Sequence, residues 1–221
     1  MVISNQNDAV MNTQRIEQYQ RIRQVSKEYL AGLLNKDKYP EADPVVAGKL
    51  LGIYKSGKIA FSTESEVSAL MDFSIAERIF SEKSLIDREI ESGLVVDECK
   101  HAILEAFRSG YTSLFEVLGN NRADRTVQLY DLLKDEDKEI IDINLSRSID
   151  KSKLLFFRIL NFKEFAMTSG ATFAFSTKHK DVLLRRYRSE IRSRFVIDKS
   201  VTRFLVFHRL NRDCGEDIIL V

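Results

Sequence analysis

Glu139-Ile140-Ile141-Asp142-Ile143-Asn144-Leu145-Ser146-Arg147-Ser148-Ile149 is where the hydrophobic period of the chain changes. Apolar Ile141, Ile143, Leu145 and Ile149 alternate with Asp142, Asn144, Ser146 and Ser148, the period-two pattern of a half-buried strand. Everything before it reads with helical spacing. The fold class expected is therefore α+β: a helical N-terminal part followed by a small, mainly antiparallel sheet with two packed helices. The change of period and charge near residue 135 divides the chain into a helical region, 1–135, and an α+β region with a basic helix, 136–221, as two regions or one continuous domain.

Upstream, Ile16, Tyr19, Ile22, Val25, Tyr29 and Leu33 recur every three or four residues, so a helix is expected from Asn12 to Leu34. Such a seam packs either on its own domain or against a second copy, which makes Ile22, Val25 and Tyr29 candidates for an oligomer interface. Asp43-Pro44 is an N-cap followed by proline at the first helical position, opening a helix over Pro44–Lys55 that stops at Ser56-Gly57. Thr63 with Glu66, and Ser74 with Glu77, have capping-box spacing and imply two short helices meeting at Asp72-Phe73. As a DNA-binding helix-turn-helix this corner is poor, since its turn has no glycine and its second helix offers only Arg78; a packed corner fits better. A helix over Leu85–Ser92 precedes the most apolar one, Val95–Leu118, expected to be the central core helix with Phe107 and Leu114 in its buried face. Thr126–Leu133 reads as a short amphipathic helix.

Downstream, the polar residues Arg158, Asn161 and Glu164 recur at three, so Lys153–Met167 reads as helix. Ala171–Phe175 reads as a strand, and Lys180–Arg194 as a basic amphipathic helix with Leu184, Tyr187 and Ile191 as its buried seam. Val201–Leu210 and Asp217–Val221 read as strands joined in a hairpin that bends at Gly215.

Of the 221 residues, 44% are hydrophobic and 30% charged, a globular composition. Residues 151–221 carry 6 Lys and 9 Arg against 7 acids, a charge of +8, so a net charge of +1 conceals an acidic front of 19 bases and 26 acids. Either the halves neutralise one another or the basic half meets an external anion. Met1–Val10 lacks the basic and apolar regions of a signal peptide, and the densest apolar run, Leu154–Leu160, is far short of the about 20 residues a membrane span needs. Cys99 and Cys214 are too few for a disulfide scaffold, so both thiols are expected free and the protein cytoplasmic, with no membrane partner.

No sequence pattern assigns a catalytic residue, and no cofactor or metal is expected. Cys99 and His101 point to different sides of a helix, and no CxxC, HxxxH or HExxH spacing occurs. Ala47-Gly48-Lys49 resembles the tail of a phosphate loop but lacks its upstream glycine, and Leu50 stands where a hydroxyl should coordinate magnesium. Asp135-Glu136-Asp137-Lys138 has the residue types of a metal-dependent nuclease but is equally an acid-rich solvated turn. The lead is Arg185, Arg188 and Arg192, spaced three and four apart as a stripe along the basic helix, where guanidinium forks suit phosphate or carboxylate. Asp181 to Arg185 and Glu190 to Arg194 have i,i+4 spacing, and a stripe paired with acids would be only a solvated face. The expectation is a non-catalytic interaction or regulatory module with a protein partner, self or other. The alternatives are a nucleic-acid-binding protein using the basic C-terminal helix and an enzyme whose site is assembled from distant residues.

Overall fold

Thirty residues with one seam of apolar side chains form the first helix, α1 (Ile3–Gly32). Tyr19, Ile22, Leu30 and, just past its end, Leu33 are buried against α4 (Leu85–Glu91) and α5 (Glu98–Ser109). The computed structural model describes residues 3–35, 37–192 and 198–216. Among these the architecture is α+β, as the change of period implies.

Asp43 caps α2 (Pro44–Leu50), accepting from Val45 N at 3.0 Å. The helix is shorter than its sequence suggests, because Tyr54–Lys55 (β1) and Lys58–Ile59 (β2) form a two-stranded hairpin. Its turn, Ser56-Gly57, takes φ of 50° and 83°. Helix α3 (Glu64–Ala76) runs straight through Asp72-Phe73, so the expected corner and both expected capping boxes are absent. Thr63 makes no side-chain cap bond, and Ser74 and Asp72 lie inside the helix, where Asp72 meets Arg158. A capping box does form at Ser84 with Asp87, opening α4.

The sheet begins earlier than the change of period. Gly110 ends α5, and the residues expected to continue that helix are β3 (Tyr111–Asn121). A Cβ at Gly110 would lie 2.7 Å from the Ala106 carbonyl oxygen and 2.8 Å from that of Ile159, so the chain can pass here only as glycine. Thr126–Asp131 is strand β4, and β5 (Glu136–Ile141) follows. The alternation beyond Ile141 is not strand: the Asp142 carboxylate accepts from the backbone N–H of Asn144 and Leu145 and opens α6 (Leu145–Ser148). Lys153–Met167, expected as helix, is β6 (Lys153–Asn161), a turn, and the start of β7 (Ala166–Ser176). The five strands are antiparallel in the order β5-β4-β3-β6-β7. Strands β3 and β6 are central and buried on both faces, so their apolar runs lack the alternation that identifies a strand.

A 3-10 turn, Thr177–His179, leads into the basic helix α7 (Lys180–Ile191). Val201–Leu210, expected as strand, is the middle of α8 (Lys199–Cys214), which Asp198 caps by accepting from Ser200 N and Val201 N. Its β-branched and aromatic residues mimic strand composition, yet Phe204, Phe207, His208 and Leu210 fall on one buried helical side. Gly215 thus closes a helix and bends no hairpin, while Asp217–Val221 and Arg194 lie outside the described residues.

One face of the sheet packs Leu114, Leu154, Phe156, Phe173 and Phe175 against α3, α7 and α8. There Phe156 stacks on Phe207 at 4.4 Å between ring centroids and on Phe173 at 5.9 Å. The other face gathers Phe115, Val117, Leu129, Leu155 and Phe157 with Leu145 and Ile149. Arg158, on β6, is buried between sheet and helices. It donates from Nε to Asp72 at 3.0 Å and from Nη2 to Glu77 at 2.5 Å, and Ser200 of α8 also reaches Glu77. Burial works against its charge, but the two carboxylates hold the guanidinium firmly protonated.

Candidate functional site

Helix α7 is amphipathic by sequence and amphipathic in place. Leu183 is fully buried, and Leu184 and Tyr187 pack partly buried against the same core, with Tyr187 5.6 Å from Phe207. Leu183, absent from the expected seam, is its deepest member. With that side fixed, helical geometry turns Arg185, Arg188 and Arg192 outward, and all three are exposed. From first to last they cover about 10 Å along the axis. Arg186 is exposed beside them and, with Val182, Arg185 and Ser189, lines a depression of about 370 Å³.

The ion pairs decide how the two charge halves meet. Arg158 answers Asp72 and Glu77, Lys180 of α7 answers Glu116 at 2.7 Å, and Arg212 answers Glu66 at 3.3 Å. Glu190 is held by Arg209 of α8 at 3.7 Å. Among the described residues Arg185, Arg186, Arg188 and Arg192 form no ion pair, including with Asp181, which stands one turn before Arg185. Part of the basic C-terminal charge is thus neutralised by the front half, while the outer side of α7 keeps a cluster that is not.

The other expected sites are placed as follows. Ile22 is 3% exposed, and Val25 and Tyr29 pack partly buried on the same cluster as α4 and α5. The Tyr29 hydroxyl donates to Glu89 at 2.9 Å, and Tyr39 and Lys38 meet the same carboxylate. The seam of α1 is therefore occupied within its own chain. Asp135 is the left-handed residue of the β4–β5 turn, with φ 62°, and Glu136 pairs with Lys138 at 3.1 Å. Among the described residues no three His, Cys, Asp or Glu side chains are gathered to hold a metal ion. Cys99 and Cys214 are free and half-buried. No helix is long and apolar enough to cross a membrane, again among the described residues.

His208 approaches a carboxylate, its Nε2 3.9 Å from Glu66 Oε1. It is wholly buried, its ring edge-on to Phe173, and both ring nitrogens lack hydrogen-bond partners. Burial lowers its pKa to about 4, with Glu66 opposing and Arg212 reinforcing the shift, so the ring is neutral at pH 7. Glu66 and Arg212, but not His208, line the large cleft between α1, α3 and β7.

Comparison with known proteins adds a family and no function. Residues 13–220 match the model of a family of unknown function, DUF7986. No curated protein and no solved structure matches.

Proposed function

The chain belongs to the DUF7986 family of unknown function, and we propose that it is a non-catalytic binding module that engages the phosphate backbone of nucleic acid through the outer side of α7. The observation that carries this reading is that Arg185, Arg188 and Arg192 stand exposed in one stripe without an acidic partner among the described residues, while neighbouring bases are paired. Unpaired guanidinium groups draw a polyanion, and the counterions condensed on its phosphates are released to solvent as the arginines replace them, which is the main source of sequence-independent affinity. Arginine presents a planar fork to phosphate oxygens, so a row of three fixes register along a backbone without reading bases.

The side chains beside the stripe favour phosphate contact over base stacking. Tyr187, the aromatic residue of α7, is turned inward against Phe207, so this helix offers no ring to unstacked bases. Duplex is the expected substrate class, bound by charge and shape. The test is electrophoretic mobility shift on a labelled duplex at low salt, comparing wild type with Arg185→Gln/Arg188→Gln/Arg192→Gln. Wild type shifts the duplex and the triple variant does so only at much higher protein concentration, while both melt at the same temperature because none of the three pairs with an acid among the described residues. A wild type that leaves every duplex unshifted at low salt removes the proposal.

A further inference from the structure

A cleft of about 1670 Å³ opens between α1, α3, the middle of β7 and the end of α8, and no residue of α7 lines it. Its polar centre is Arg23. The Nε of this residue donates to the Tyr19 hydroxyl at 3.2 Å, and Nη2 donates to Thr168 Oγ1 at 2.6 Å and lies 3.3 Å from Asp142. The guanidinium also sits over the Tyr19 ring, 5.3 Å from its centroid. The group is thus held on two sides, while Nη1 has no partner among the described residues.

What Nη1 faces is unusual backbone. The β6–β7 register passes from Phe157↔Thr172 to Ile159↔Thr168, so Ser169, Gly170 and Ala171 bulge out opposite Arg158 alone. Gly170 is exposed with φ 114°, a conformation side chains rarely adopt, and a Cβ there would lie 3.6 Å from Nη1. The bulge keeps the space above the guanidinium open. Two hydroxyls stand at the same cleft: Ser26, one turn along α1 from Arg23, and Ser169, beside Gly170. Each has a buried oxygen with no hydrogen-bond partner, and each residue lines the cleft. Buried polar atoms are ordinarily satisfied, so two unsatisfied hydroxyls on residues of the same cleft are available to a ligand acceptor once they turn about χ1.

The donor set defines the ligand. Nη1 and two hydroxyls call for an acceptor with two oxygens. Asp142 offsets the Arg23 charge and Glu66, Asp72 and Glu216 also line the cleft, so a second negative charge on the ligand is disfavoured and binding rests on hydrogen bonds from Nη1 and the hydroxyls. Leu30, Ile75 and Phe107 give the cleft an apolar wall. We propose that this cleft binds an amphipathic monocarboxylate, its carboxylate on Arg23 Nη1, Ser26 and Ser169 and its apolar chain along Leu30, Ile75 and Phe107.

The test is calorimetric titration of the full chain with octanoate, octanol and octyl phosphate at neutral pH. Octanoate saturates the protein one to one and at least tenfold more tightly than either of the others. Arg23→Gln lowers octanoate to the level of octanol, and Ser26→Leu, which removes one hydroxyl and crowds the polar end of the cleft from α1, weakens octanoate at least tenfold. Because Arg23 also ties α1 to β7, Ser169→Ala serves as the milder variant, with octanoate weakened several-fold and octanol unchanged. The proposal is overturned by any of four results: no saturation by octanoate, octanol binding as well as octanoate, octyl phosphate binding more tightly, or Ser26→Leu or Ser169→Ala binding octanoate like wild type.

Discussion

Replacing Arg158 with alanine removes the cation between Asp72 and Glu77, whose side chains are 5% and 3% exposed. The native triad is close to neutral in net effect, because desolvation offsets most of its Coulomb attraction. Truncation is different, since it strands two buried carboxylates at once. Breaking such a pair by removing one partner costs about 3–5 kcal/mol, and here Ser200 is the other donor left to Glu77. For a domain of this size a loss of about 4 kcal/mol lowers the melting temperature by about 8–16 °C. Urea unfolding at pH 7 reads this loss as the gap between wild type and Arg158→Ala. Arg158→Met combined with Asp72→Asn and Glu77→Gln recovers most of the loss. A deficit under about 1 kcal/mol at pH 7, or no recovery in the triple variant, refutes the placement of this triad.

Phe156→Ala, at the centre of the ring cluster with Phe173, Phe204 and Phe207, lowers stability by about 3–5 kcal/mol in urea titrations. His208, buried neutral with a pKa of about 4 against an ordinary 6.5, penalises the folded state as pH falls from about 6.5 towards 4. At roughly 1.4 kcal/mol per unit that penalty approaches about 3 kcal/mol, so His208→Leu loses less stability than wild type between pH 7 and pH 4.5. Charged substitution of Ile22 destabilises the chain itself, by about 3 kcal/mol in the same titrations, because its seam is filled from within.

The fold is legible in the sequence where one side of an element faces water. The α1 seam, the Asp43-Pro44 start, α4 and the outward arginines of α7 all follow from helical spacing, because solvent marks one side of each. It is illegible where both sides are buried. Leu114 and Phe115 on β3, and Leu154 to Phe157 on β6, are apolar in succession, and a continuous run has no period to read. Arg158 misleads in a second way. With Asn161 and Glu164 it makes a spacing of three that suggests one exposed helical side, whereas Arg158 is buried on β6, Asn161 ends that strand and Glu164 lies in the turn after it. Its partners Asp72 and Glu77 are more than 80 residues away in the chain, beyond the reach of any local pattern. The polar centre of the cleft is hidden for the same reason: Arg23, Asp142 and Thr168 meet only through the fold. Residue types alone point to α7, but whether its arginines are paired is decided by the ion pairs themselves.

Whether the α7 stripe meets phosphates is measured most directly by the salt dependence of duplex binding. Each phosphate contact contributes about 0.9 to the slope of log affinity against log salt, so three arginines account for up to about three. Fluorescence anisotropy of a labelled duplex, titrated at several salt concentrations, gives this slope for wild type and for Arg185→Gln/Arg188→Gln/Arg192→Gln. Phosphate contact by the stripe predicts a steep negative slope for wild type, a slope shallower by about two to three for the triple variant, and the same change on duplexes of unrelated sequence. Equal slopes for the two proteins, or a triple variant that loses thermal stability and leaves binding unaltered, would contradict it.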